Sequence, residues 1–126
     1  MNAYVLVGLG GALGSMARYG TGVLVGRFWG LGFPLGTLLI NIIGSLVMGV
    51  FVGYLARTTP EWQADARLFV AVGILGGFTT FSAFSLDAIT LIERGEVGAA
   101  LLYVGLSVVV AIVALYAGLI VMRGAA

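Results

Sequence analysis

Four apolar segments, at roughly 3–26, 34–56, 68–92 and 97–122, fill almost the whole chain, and the links between them, 27–33, 57–67 and 93–96, are too short to fold by themselves. A helix needs about 20 predominantly apolar residues to cross a hydrocarbon core. Each segment has that length. Of the 126 residues, 61% are hydrophobic and 9% charged, whereas soluble domains hold about 45–50% and 25%. The expected fold class is therefore an all-α integral membrane protein, a single four-helix transmembrane domain over residues 1–126 embedded in the lipid bilayer. Any site must then lie inside the bilayer. Met1-Asn2-Ala3 has no basic n-region and Arg18 interrupts the first apolar segment, so that segment is expected to stay in the mature protein.

The residue inventory excludes much chemistry. There is no cysteine and no histidine, which removes disulfides, thiolate nucleophiles and imidazole metal sites. All six basic side chains are arginines, the formal net charge is +1 and no basic run exists, so nucleic acid is not an expected partner. An intramembrane enzyme would have only a lone serine as nucleophile, with no base inside a span.

The third segment carries Gly76-Gly77-Phe78-Thr79-Thr80-Phe81-Ser82-Ala83-Phe84-Ser85, helix-weakening glycines and a run of hydroxyls within apolar sequence. Irregular backbone at membrane depth survives only where protein buries it or where it lines a cavity. A break in the third helix is expected here. On one helix Phe78, Phe81 and Phe84 would form a stripe of rings beside a stripe of hydroxyls, Thr79, Ser82 and Ser85. Such hydroxyls commonly bond their own i−4 carbonyls, so packing and a polar pathway both remain open readings.

The other segments supply partners for that break. Gly10, Gly14, Arg18, Gly22 and Gly26 recur every four residues, a small-residue face for close helix approach that also holds Arg18. Arg18 has three readings: snorkelling to the interface, a structural contact within the bundle, or positive potential for an anion vestibule. The second segment places Thr37, Asn41 and Ser45 on one face, continued by Gly49 and Gly53. Asn41 is either interhelical glue or a site contact. Thr59-Pro60-Glu61 reads as an N-cap, an N1 proline and a first-turn acid opening the third helix. Asp87, near the end of the third segment, reads as an interfacial charge in preference to a proton-coupling acid. Tyr103 and Ser107, one turn apart in the fourth, read as an interfacial tyrosine or as the continuation of a polar track.

Assigning links alternately to the two sides gives Arg57, Arg67 and Arg123 against Arg27, Arg94 and, if it snorkels, Arg18. The positive-inside rule has no bias to act on. An antiparallel, dual-topology homodimer is expected, with two inverted copies crossing their broken helices at the midplane.

Taken together, Gly10-Gly11 with Gly14 and Arg18, Gly36-Thr37 with Asn41 and Gly44, and the motif from Gly76 to Ser85 resemble the bacterial fluoride channel family, Fluc or CrcB, along the whole chain. Ala83 stands where a threonine is common in that family and Phe78 where leucine is frequent. The resemblance implies a passive fluoride channel in the cell inner membrane, two antiparallel subunits with two pores and one central structural sodium ion. It implies that the carbonyls of Gly76 and Thr79 hold the sodium. It further implies that Phe81, Phe84 and Asn41 line the fluoride path, with Thr37, Ser82, Tyr103 and Ser107 along it. The rival of the same size, a small dual-topology proton-coupled exporter, needs a carboxylate deep in an early span, and the first two segments contain none.

Overall fold

A computed structural model describes residues 2–30 and 32–124, and the described residues are almost entirely helical. Helix α1 (Ala3–Phe28) opens on Asn2, whose side chain accepts the Tyr4 N–H at 2.7 Å. Helix α2 (Leu35–Thr58) follows a short loop. The third helical rod begins as α3 (Gln63–Ala66), is wound as a π-helix over Arg67–Leu75, and returns to α-helix for α4 (Gly76–Phe78). After an interruption at Thr79 and Thr80 it resumes as α5 (Phe81–Glu93), and α6 (Val97–Gly124) is the last described helix.

Three of these stretches are long and apolar enough to cross a membrane: Leu35–Thr58, Gln63–Glu93 and Val97–Gly124. Helix α1 is 26 residues long, but its glycines and two arginines dilute its apolar character. Large apolar side chains point outward on every long helix, among them Leu86, Leu101, Leu102 and Val121. Outward-facing apolar side chains suit a lipid solvent, which has no aqueous penalty to drive them inward. The interior is correspondingly thin. Its main cluster joins Leu38 of α2, Phe84, Ala88 and Leu91 of α5, and Ala100 and Tyr103 of α6.

Glycine sets which helices touch. A methyl group on Gly14 would land on the carbonyl oxygen of Ile74, and one on Gly10 on that of Phe69, so α1 lies backbone to backbone against the π-helical stretch. Gly49 of α2 meets Leu115 of α6 in the same way, while Gly118 of α6 meets Leu46 and Val50. Gly22 and Gly26, on the same stripe as Gly10 and Gly14, meet nothing within 4 Å. The close backbone contact on this face is therefore confined to Gly10 and Gly14, while Gly22 is approached only loosely, from Gly36 of α2.

Two local expectations are corrected. Thr59 closes α2 instead of opening the third helix: it adopts a left-handed conformation (φ 41°, ψ 55°) and its N–H bonds Leu55 O at 2.8 Å. A turn in which Gln63 N–H reaches Pro60 O at 3.1 Å then delays the next helix by several residues. The ring and hydroxyl stripes also do not share one helix, because Phe78 ends α4 and Phe81 begins α5.

Candidate functional site

The break is two residues long. Thr79 (φ −82°, ψ 155°) and Thr80 (φ −150°, ψ 123°) are both extended, and Thr80 caps α5 by accepting the Ala83 N–H on Oγ1 at 3.1 Å. In an unbroken helix the Thr80 N–H would bond the carbonyl of Gly76. Here it donates instead to Asn41 Oδ1 at 2.8 Å, and the Thr80 carbonyl accepts from Asn41 Nδ2 at 3.0 Å. The Ala83 N–H, engaged by the Thr80 hydroxyl, is likewise withdrawn from Thr79 O. Four carbonyls, those of Gly76, Gly77, Phe78 and Thr79, thus lose the donors a continuous helix would supply. From the opposite side Arg18 Nε donates to Gly77 O at 3.1 Å. Gly44 leaves room for the arrangement, since a methyl there would collide with the Thr79 methyl and crowd the Phe78 ring.

Two clefts meet at this break. The first, of about 470 Å3, is lined by Arg18, Trp29, Phe33, Thr37, Thr80 and Asp87 among others. The second, of about 380 Å3, contains Asn41, Thr79, Thr80, Phe81, Phe84 and Ser107, and no ionisable side chain lines it among the described residues. Thr80 borders both. The first cleft therefore holds one positive and one negative side chain, whereas the second offers phenyl rings, an amide and hydroxyls.

An aromatic line runs alongside. Phe81 and Phe84 have centroids 5.4 Å apart, Phe84 and Tyr103 5.3 Å, and Phe33 meets Tyr103 edge to ring at 5.6 Å and 89°. Tyr103 is completely buried and its hydroxyl lies 3.1 Å from Asp87 Oδ2. Ser107, 7% exposed, has a buried hydroxyl without a hydrogen-bond partner among the described residues.

Asn41, Thr79, Phe81, Phe84 and Ser107 are brought together around the second cleft, and Thr37 and Arg18 around the first. Tyr103 sits between them, in ring contact with Phe84 and bonded to Asp87. Ser82 is exposed, 3.3 Å from the Thr80 hydroxyl. Ser85 bonds its own i−4 carbonyl, that of Phe81, and Thr79 bonds that of Leu75, as packing hydroxyls do. Sequence reasoning missed Thr80, whose backbone is the partner of Asn41. It also read Asp87 as an interfacial charge without foreseeing that its carboxylate accepts from the buried Tyr103 hydroxyl. The spacing of Asp87 three residues after Phe84 was the available signal, since it continues the Phe81 and Phe84 face.

A multi-pass membrane protein that gathers its polar groups at a broken helix, between one charged and one neutral cleft, has the layout of a transport protein, in which unwound backbone is tolerated where it lines a cavity. The chain belongs to the CrcB family: the family model described as CrcB-like protein, Camphor Resistance (CrcB), matches residues 5–119. Curated relatives named fluoride-specific ion channel FluC include one from Hyphomonas neptunium, 50% identical over 119 residues and 94% of each chain. Another, from Rhodopseudomonas palustris, is 54% identical over 120 residues, 95% of this chain and 96% of the relative. A relative from Nitrobacter hamburgensis named fluoride-specific ion channel FluC 2 is 52% identical over 120 residues, again 95% and 96%.

Proposed function

We propose that this chain is a fluoride-selective passive channel exporting fluoride across the cell inner membrane, built as an antiparallel homodimer in which each subunit is a single domain of four spans. The observation that carries the reading is the neutral cleft at the break, in a chain about half identical to proteins named fluoride channels. A phenyl ring has a positive edge, so Phe81 and Phe84 offer a small anion attraction that is weak enough to release it. Conduction requires that weakness. Asn41 Nδ2 carries two hydrogens, and Thr80 takes one. The second is left for an ion, and the unpartnered Ser107 hydroxyl is a further donor beside it. Thr37 lines the first cleft, Ser82 beside the Thr80 hydroxyl and Tyr103 against Phe84 continue the polar track next to the clefts, and Arg18 adds positive potential at the first cleft as well as holding the Gly77 carbonyl.

A second copy would cover the open side of the neutral cleft. Phe81 is 77% exposed beside it, a surface that a partner's inverted broken helix would close. The carbonyls of Gly76 and Thr79, freed at the break, form a neutral oxygen donor set, and doubled by the second copy they suit a hard monovalent cation such as sodium. Bound there, sodium would supply fixed positive charge at the subunit interface.

Purified protein in liposomes is expected to release fluoride down its gradient, followed with a fluoride-selective electrode, without ATP or a proton gradient, and to exclude chloride. Equal passage of chloride rejects the reading, and proton-dependent transport favours the exporter instead.

A further inference from the structure

Between α1 and α2, Gly32 is held from a point far from it in sequence. Arg94, the C-cap of α5, donates from Nη2 to the Gly32 carbonyl at 2.6 Å and pairs through the same nitrogen with Glu96 at 3.0 Å. The next residue in the loop is Phe33, which lines the charged cleft and meets Tyr103 edge to ring. Tyr103 in turn holds Asp87 and stacks against Phe84. Trp29 N–H ties the start of this loop to Val25 O at 2.8 Å and Leu35 N–H ties its end to Phe33 O at 2.8 Å, and the Arg94 bond at Gly32 adds a hold from another helix. A charged donor on a carbonyl is the stronger kind of hydrogen bond.

From this geometry we infer that Arg94 is a positioning residue for the pathway: by holding the Gly32 carbonyl it fixes Phe33 against Tyr103, and so keeps the tyrosine hydroxyl on Asp87 at the wall of the charged cleft. Arg94 itself touches neither the neutral cleft nor the rings of α5. Its effect on conduction passes through Phe33, which makes it separable from a general effect on stability by a double-mutant cycle. The flux consequence rests on the fluoride-channel reading, whereas the tether does not.

Two measurements test the inference. Trp29 lies in the same loop and Trp62 is the other tryptophan, so in a Trp62→Phe background the fluorescence of Trp29 reports the loop alone. Arg94→Gln is expected to shift its emission to the red and raise acrylamide quenching; no change means that Arg94 does not hold the loop, whatever the protein conducts. In liposomes Arg94→Gln is expected to slow fluoride efflux about fivefold, and Phe33→Leu to do the same, with the double variant no slower than either single one. Equal further slowing by Arg94→Gln in the Phe33→Leu background overturns the inference, because Arg94 would then act by another route. If wild type passes no fluoride, the channel reading fails and the Trp29 result still decides the tether.

Discussion

Asn41 and Thr80 form a two-point clasp in which a side-chain amide takes the place of a backbone peptide: Asn41 accepts the Thr80 N–H at 2.8 Å and donates to the Thr80 carbonyl at 3.0 Å. The clasp satisfies both polar groups of a residue that has left the helix, which is why the break can persist away from water. Asn41→Asp keeps the acceptor but sets a second oxygen against the Thr80 carbonyl. Leaving such a group unsatisfied costs about 1–3 kcal/mol. Thermal unfolding in detergent is expected at a lower temperature, and fluoride efflux at least about tenfold slower on the scale of 1.36 kcal/mol per tenfold. Wild-type behaviour in both assays would show that the break stands without the clasp.

The glycine contacts make a paired prediction on α1. Gly14→Ala puts a methyl onto the Ile74 carbonyl, a backbone atom that cannot swing away, whereas Gly22→Ala meets nothing within 4 Å. Overpacking of this kind costs about 1–3 kcal/mol, while alanine is favoured over glycine in a helix by up to about 1 kcal/mol. The two variants are expected to move the unfolding temperature in opposite directions, Gly14→Ala down and Gly22→Ala level or up. A Gly14→Ala protein as stable as wild type would mean that α1 can stand off from the π-helical stretch.

Phe81 and Phe84 separate a pathway role from a packing role. Phe84 is 9% exposed and stacked on Tyr103, while Phe81 is 77% exposed. Replacing either ring by isoleucine removes its positive edge, so both variants are expected to slow fluoride efflux by about tenfold or more. Phe84→Ile should also lower thermal stability, by about 1–2 kcal/mol for a disturbed core ring. Normal flux in both variants would remove the ring-edge account of permeation.

Residue types and their spacing made the broken third helix, the close approach of Gly10 and Gly14, and a polar contact from Asn41 to another segment readable in the sequence. Where the helix breaks was less readable. The glycines at 76 and 77 stay helical, and the interruption falls on Thr79 and Thr80 because a side chain from another helix competes for the Thr80 backbone. That competition is tertiary, so no local propensity reveals it. Periodicity likewise put Gly22 and Gly26 on one face with Gly14 but cannot say whether the face meets a helix or a cleft. The π-helical winding of Arg67–Leu75 has no marker in residue type. Arg18 had three possible positions in the sequence, and its bond to Gly77 O places it inside the bundle.

With Arg18 bonded inside the bundle, the remaining arginines lie at its two ends. The Arg94 bond to Gly32 O puts the α1–α2 loop and the α5–α6 turn at one end of the bundle, and the Arg57 bond to Met122 O at 3.3 Å puts the ends of α2 and α6 at the other. With Arg18 withdrawn, Arg27 and Arg94 oppose Arg57, Arg67 and Arg123. A difference of one arginine is a weak topological signal. A C-terminal tag on the wild-type chain is therefore expected on both sides of the membrane in intact cells. Glu61→Arg with Asp65→Arg should drive the α2–α3 end into the cytoplasm, leave only one orientation, and abolish fluoride flux if inverted copies must pair. Co-expression with a chain biased the other way, by Glu93→Arg, is then expected to restore it. A uniformly oriented wild-type protein that still conducts would show that the pairing is parallel or unnecessary.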